Sequence, residues 1–194
     1  MMSRRVRRVR YQLDTKNIKR LSDSDIRTIL RGADPLIMTG GRNLLAKILK
    51  GSKEKRVLEL NLDDCPVYGA FQSEKLETVK AKIDWMIKNN YLEIEYDYRL
   101  PFLVFSEKGW AIERDTYSDE LLQQIREIKN PESHDFKEHL LDRDRGMILL
   151  LLKKVEQAGD PSFIPSLEEW KKVDYKKVRK EINRVIYSLS EGLS

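Results

Sequence analysis

The sequence has few of the residues that build cross-links, metal clusters or membrane spans. Its single cysteine, Cys65, excludes an internal disulfide and a structural zinc site made from cysteine clusters, and is typical of a reducing cytoplasm. It contains no run of about 18 apolar residues, so no segment is expected to cross a membrane. The N-terminal segment 1–10 is basic but lacks the apolar stretch of a signal peptide. A cytoplasmic protein is therefore predicted.

Catalytic and metal-binding patterns are equally scarce. His134 and His139 are five residues apart, which places them on different faces of a helix and argues against a shared metal. Asp63 and Asp64 beside Cys65 are explained most simply as acidic turn residues next to a small buried cysteine. No nucleophile is accompanied by an evident base and orienting group. We therefore expect a binding protein without enzymatic activity, metal or cofactor.

Positive charge is concentrated at the N-terminal end. Residues 1–56 hold 16 Lys/Arg against 5 Asp/Glu, whereas residues 57–135 hold 9 against 17 and residues 136–194 hold 12 against 10. A basic block on an otherwise acidic or balanced chain indicates a polyanionic partner. Its first part is predicted to be a disordered or loosely helical arm, residues 1–20. Its arginines are Arg4, Arg5, Arg7, Arg8 and Arg10.

The stretch LLAKILKGSKEKR, residues 44–56, combines a helix with a basic turn. Its leucines and isoleucine recur on one helix face, and Gly51 stands where a left-handed residue ends a helix. The turn then presents one hydroxyl and several cations, a combination that suits phosphate binding. The cationic and hydroxyl residues are Lys50, Ser52, Lys53, Lys55 and Arg56. The alternative is a solvated loop.

The surrounding elements predict a winged helix. A first helix starts at the Ser/Asp cluster 22–25 and is stopped by Gly32. Residues 57–71 begin with a short strand or a helix turn. Ser73 then caps a third helix, 74–89. Residues 91–105 alternate with period two and form a β-hairpin, with Pro101 on an edge strand. Helices followed by a hairpin are the winged-helix arrangement, a variant of the helix-turn-helix.

The third helix carries a weaker signal. Lys75, Thr78 and Lys82 recur at spacings of three and four, with Trp85 beside them, so this face is a candidate for contact with a phosphate backbone. The acidic residues Glu74, Glu77 and Asp84 dilute its charge. An ordinary solvated face is the alternative.

The last third is predicted to be helical. Ser118 is expected to cap one helix, a buried helix covers 143–157, and Asp174 starts a final helix. The stretch 159–182 resembles a HEAT-type helical pair, and such a unit must pack into a small bundle because it does not bury its faces alone. Six basic residues form a second patch, for which there are two interpretations. It either extends a surface that binds nucleic acid or is an ordinary charged helix face. It consists of Lys171, Lys172, Lys176, Lys177, Arg179 and Lys180.

Four segments resemble the RQC domain, the winged helix that follows the zinc-binding region in RecQ-family DNA helicases. They are ILKGSKEKRV (48–57), CPVYGAF (65–71), IDWMIKNNYLE (83–93) and LVFSEKGW (103–110). The chain has neither the GxxxxGK[ST] phosphate loop of a helicase motor nor a cysteine set for zinc. It is therefore similar to stand-alone RQC-minor proteins, which carry the DNA-binding module without the motor.

The resemblance implies roles for particular residues. In RQC domains the turn after the second helix grips duplex phosphates, and the matching positions here are Lys50, Ser52 and Arg56, with Lys53 and Lys55 as added charge. The family also uses the wing to reach the end of a duplex, where a tip residue can open the terminal pair. At the corresponding tip, Tyr98 is expected to stack on a base, Arg99 to reach a phosphate and Leu100 to act as the wedge.

The sequence thus predicts a mainly α protein with a small β wing: a basic arm (1–20), an RQC-like winged helix (21–115) and a C-terminal helical domain (116–194). The predicted function is non-catalytic binding of DNA at duplex ends or forks, with a protein partner on the C-terminal helices as a further option. The alternative is a winged-helix and helical-repeat adaptor that binds protein or structured ribosomal RNA.

Overall fold

A computed structural model describes residues 12–132, 140 and 143–191 of the chain. The chain forms two compact units that meet between Glu113 and Arg114. The arginines of the N-terminal arm, together with His134 and His139, lie outside the described residues. Over the ranges that are described, no helix is long and apolar enough to cross a bilayer.

The first unit opens with the predicted series of helices. These are α1 (Asp23–Ala33), α2 (Arg42–Lys50), the short α3 (Lys55–Glu59) and α4 (Leu76–Lys88). Before α1, the Ser22 hydroxyl accepts a hydrogen bond from the Asp25 amide at 3.0 Å, so it satisfies an amide that has no partner within the helix. The apolar stripes of α2 and α4 pack together as the periodicity indicated. Their fully buried members include Leu45, Ile48, Leu49, Val79, Ile83 and Met86.

Of three local expectations in this unit, the helix end at Gly32 was off by one residue, the cap at Ser73 was wrong, and the structure decides between the two alternatives left open after Arg56. Helix α1 ends at Ala33, one residue after Gly32, which is buried where a Cβ would lie 3.0 Å from the Leu49 side chain. The glycine is thus used for close packing of α1 on α2. Ser73 does not cap α4, which starts at Leu76 after Lys75 at the N-cap position. The run after Arg56, left open between strand and helix turn, continues as helix α3.

The predicted hairpin is confirmed. Strands β1 (Leu92–Asp97) and β2 (Leu100–Phe105) are antiparallel, and their last pair joins Asp97 to Leu100. Only Tyr98 and Arg99 connect the strands, and Tyr98 takes a φ of 54° to close so short a loop. Mainly helical with one small two-stranded sheet over the residues described, the chain has a winged-helix fold followed by C-terminal helices.

Backbone hydrogen bonds tie the hairpin to the loop before α2. The Met38 amide donates to the Leu103 carbonyl at 3.1 Å, and the Leu103 amide donates to the Gly40 carbonyl at 2.9 Å. Leu103 is buried on the core side of β2. The root of the hairpin is therefore fixed to the residues that lead into α2.

Part of the expected N-terminal arm packs onto the first unit. Residues 12–20 contain no helix, and Ile18 lies against the hydrophobic core. The Asp14 amide donates to a carboxylate oxygen of the buried Asp84 at 2.8 Å. This part of the arm is anchored rather than loose.

The second unit is built from helices. Helix α5 (Glu107–Glu127) includes the junction, and α6 (Arg145–Ala158), α7 (Ile164–Val173) and α8 (Lys176–Glu191) follow. Ser118 was predicted to cap a helix but lies buried within α5, where its hydroxyl donates to the Asp115 carbonyl at 2.9 Å. Asp174 stands two residues before α8 and accepts a hydrogen bond from the indole of the buried Trp170 at 2.7 Å.

Candidate nucleic-acid interface

The basic turn begins with a complete helix-ending motif. Gly51 has a left-handed φ of 71°, as its position after α2 predicted. Its amide donates to the Ile48 carbonyl at 2.9 Å, and the Ser52 amide donates to the Lys47 carbonyl at 2.9 Å. These two bonds form the Schellman motif, which satisfies carbonyls that the helix itself leaves free. The chain direction after α2 is therefore fixed by backbone bonds.

A second bend holds the turn from the other side. The Gly69 amide donates to the Ile48 carbonyl at 2.9 Å, and the Phe71 amide donates to the Leu49 carbonyl at 2.8 Å. The backbones of the two bends touch, because a Cβ on Gly51 would lie 3.1 Å from the Gly69 α-carbon. A larger residue at Gly51 would push the bends apart.

The predicted cations on this turn differ in their availability. Lys53 and Arg56 are exposed and make no ion pair within the described part of the chain. Lys55 is 3.3 Å from Glu59, yet 88% of its side chain stays exposed. Lys50 is half-buried and its ammonium group donates to the Gln72 carbonyl. Lys53, Lys55 and Arg56 can therefore reach a ligand without breaking buried contacts.

The acidic residues on the turn do not cancel its charge. Glu54 pairs with Lys47 on α2 at 2.5 Å, so its carboxylate has a cation outside the turn. The Ser52 hydroxyl accepts from the Glu54 amide at 3.3 Å. That leaves the hydroxyl hydrogen of Ser52 available to donate to an anion.

The hairpin tip exposes apolar side chains. Tyr98 is 70% exposed and Leu100 is 72% exposed. Arg99 lies between them with its guanidinium 5.7 Å from the Tyr98 ring centroid. Single exposed apolar residues are common on protein surfaces. Two of them flanking an arginine at the end of a two-residue loop present an apolar and cationic point to any ligand.

The candidate face of α4 is divided. Lys75 is exposed at the N-cap position and Thr78 is half-buried. Lys82 is 2.6 Å from Glu74 and 3.1 Å from Asp25, and its ammonium group lies 4.2 Å from the Phe71 ring centroid. Burial alone would lower the pKa of Lys82, but its hydrogen bonds to Glu74 and Asp25 outweigh that effect and raise it. Lys82 is thus committed to contacts within the fold.

Two neighbours on this helix are also internal. Trp85 is buried and stacks on Tyr91 with ring centroids 5.8 Å apart. Asp84, expected to dilute a surface charge, is buried and accepts from the Arg42 guanidinium at 2.6 and 2.7 Å. Sequence reasoning missed this ion pair because a carboxylate in a helix carries no local mark of burial.

The acidic residues Asp63 and Asp64 directly precede the cysteine of the first unit. Asp63 and Asp64 are exposed, and Cys65 is half-buried with its sulfur 3.9 Å from the Arg31 carbonyl oxygen. Across residues 12–132, 140 and 143–191, no three His, Cys, Asp or Glu side chains are grouped so that they could hold a metal ion.

Comparison with known proteins identifies the family of the region that holds the turn, the bend and the hairpin. A sequence model of the RQC domain matches residues 21–130, more than half of the chain. The chain belongs to the RQC domain family. This domain is found in RecQ helicases and is associated with DNA binding.

A curated relative covers the same region. The ATP-dependent DNA helicase RecQ of Bacillus subtilis (strain 168) is 25% identical over 104 residues, which cover 46% of this chain and 17% of the helicase. The chain therefore corresponds to less than a fifth of that enzyme's length. No solved structure matches the chain significantly.

Proposed function

We propose that this RQC protein is a non-catalytic DNA-binding protein that recognises duplex ends or branched DNA. The observation that carries the proposal is the exposed basic turn after α2, which two sets of backbone bonds hold in place. Lys53, Lys55 and Arg56 contact phosphates, and Ser52 donates a hydrogen bond to one of them. A rigid turn loses little conformational entropy when its cations meet a phosphate backbone, so more of the interaction energy appears as affinity.

Lys50 has a supporting part in this proposal. Its ammonium group is held by the Gln72 carbonyl and is half-buried. It adds positive potential to the turn while it braces the second bend. On α4, Lys75 and Thr78 lie at the margin of the interface, whereas Lys82 stabilises the fold through its two carboxylates.

The wing supplies the preference for DNA ends. Tyr98 stacks on a terminal or unpaired base, Leu100 packs against the edge of the terminal pair, and Arg99 contacts a phosphate. Base–aromatic stacking contributes about 1–3 kcal/mol per base, which corresponds to an affinity difference of about 5- to 150-fold. The interior of a duplex has no exposed base face, so this contribution is absent there.

Salt dependence tests the phosphate contacts. Wild-type affinity for a duplex should fall steeply with salt, because each phosphate contact adds about 0.9 to the slope of log K against log salt. The double variant Lys53→Gln, Arg56→Gln should bind every DNA substrate more weakly and lower the slope by about 2. The matched control is Lys19→Gln, Lys88→Gln, which removes two exposed cations from the same unit outside the turn and wing. Equal losses of affinity in the two variants would show that the effect depends only on net charge, which would contradict the proposed role of the turn.

DNA topology tests the wing. A blunt duplex has free ends, a fork adds unpaired arms, and a covalently closed dumbbell with the same duplex sequence has no free end. Wild-type protein should prefer the blunt duplex and the fork, and Tyr98→Ser with Leu100→Ser should bring all three substrates to the affinity of the dumbbell. Tighter binding to structured RNA than to any DNA substrate would favour the adaptor function instead.

A further inference from the structure

A cationic groove lies in the second unit, between the end of α7 and the first two turns of α8. Its volume is about 750 Å³, and Asn183 is the one lining residue without a positive charge. The cations that line it are Lys171, Lys172, Lys176, Lys177, Arg179 and Lys180. Lys176, Arg179, Lys180 and Asn183 are spaced as one helix face, nearly opposite the buried face of α8.

Most of this charge is not neutralised by the fold. Lys171 is 2.5 Å from Glu168 and Lys172 is 2.5 Å from Glu169, both on α7. The four cations on α8 are exposed and have no ion pair within the described residues. They stand within the first five residues of α8, where backbone amides add further positive potential and the first turn holds no acidic residue. The Asp174 carboxylate before the helix is buried and accepts hydrogen bonds from the Tyr175 amide and the Trp170 indole.

This placement opposes stability. Like charges close together repel, and cations at a helix N-terminus interact unfavourably with the helix dipole. An anion in the groove would relieve both effects. Lysines are depleted in protein–protein interfaces, where aromatic side chains, methionine and arginine are enriched. A groove with five lysines and one arginine therefore suits a phosphate backbone better than a protein surface.

We infer that the α7–α8 groove is a second phosphate-binding surface, and that its ligand is the backbone of the same DNA that the RQC domain binds. The inference rests on the proposed function for its choice of ligand. The groove contributes affinity without sequence preference, because contacts between its cations and phosphate oxygens carry no sequence information.

The test uses the full chain and a duplex of more than two helical turns. The groove variant is Lys176→Gln, Lys177→Gln, Arg179→Gln, Lys180→Gln, and a smaller version changes only Lys177 and Lys180. The control for the smaller version is Lys129→Gln, Lys153→Gln, which removes two exposed cations elsewhere in the second unit. Each variant is also combined with the turn variant, Lys53→Gln with Arg56→Gln.

The groove variant should lower the salt slope by about 3–4, and the smaller version by about 2, since each phosphate contact contributes about 0.9. The control should leave the slope unchanged, and the melting temperature of the groove variant should be equal to or higher than that of wild type. Both melting temperatures are measured without DNA. If the variant is as stable as wild type in this measurement, its weaker DNA binding cannot be ascribed to unfolding.

The outcomes separate this inference from the proposed function. If only the turn variant weakens binding, the groove is not a DNA surface and the inference is overturned. If only the groove variant weakens binding, the phosphate-gripping turn is wrong while the groove stands as a DNA site. If the smaller groove variant and its control weaken binding equally, the effect is one of net charge and the groove is refuted as a site.

Discussion

Replacing Gly51 with alanine should destabilise α2 more than the same change at Gly159 destabilises α6. The two glycines make a matched pair, since each directly follows a helix with a left-handed φ, 71° and 61° respectively. Their surroundings differ. A Cβ at Gly51 would lie 3.1 Å from the Gly69 α-carbon, whereas a Cβ at Gly159 would meet nothing within 4 Å.

The expected magnitudes follow from that difference. A side chain in the left-handed region costs about 1–2 kcal/mol, and both variants incur this cost. At Gly51 the new methyl group also presses on backbone that cannot rotate away, and overpacking of this kind costs about 1–3 kcal/mol more. Gly51→Ala should therefore lose the larger amount of opening free energy, and it should also shift the basic turn.

Hydrogen exchange followed by mass spectrometry measures the opening free energy of α2 and of α6 separately, so the comparison does not depend on the two units unfolding together. Each variant is compared with wild type over its own helix. Equal losses at Gly51 and Gly159 would refute the reasoning, because they would show that the contact between the two bends has no energetic weight.

Two further predictions concern ion pairs of the first unit. Asp84→Ala should lower the free energy of unfolding in urea by about 3–5 kcal/mol, because it removes the carboxylate that the half-buried Arg42 guanidinium contacts. The double variant Arg42→Met, Asp84→Leu should recover most of this loss, and the absence of any recovery would contradict the explanation. Contacts with Glu74 and Asp25 raise the pKa of Lys82, so their stabilisation is complete below the ordinary value of 10.5 and is lost as the pH rises through the folded-state pKa. The free energy of unfolding should therefore fall more steeply with increasing alkaline pH in wild type than in Lys82→Gln. Parallel plots of this free energy against pH would contradict the prediction.

Features with a local cause were predictable from the sequence. The end of α2 at Gly51 follows from the glycine after an apolar stripe, because only glycine adopts a left-handed φ without cost. The hairpin follows from the period-two alternation in residues 91–105. The phosphate-binding roles of Lys53, Lys55 and Arg56 remain predictions that no structural observation tests.

Features decided by tertiary contacts were not predictable. Glycine at position 32 indicated a helix end, but its close packing against Leu49 on α2 could not be read from the local sequence. Ser118 has the side chain of a helix cap, yet it lies fully buried in the middle of α5. The burial of Asp84 depends on Arg42, which is 42 residues away in the sequence. Neither Leu49 nor Arg42 lies within a local sequence window of the residue that it contacts.

Helix α2 links the two parts of the proposed interface. The loop that holds the hairpin ends at Gly40, just before the helix begins, and the basic turn starts at Gly51, just after it ends. At a rise of about 1.5 Å per residue, the nine residues of α2 span about 14 Å between the loop that anchors the hairpin and the turn. Because Leu45, Ile48 and Leu49 are fully buried, α2 cannot slide or rotate without disrupting the core. Core packing around α2 therefore determines the distance between the basic turn and the residues that anchor the hairpin.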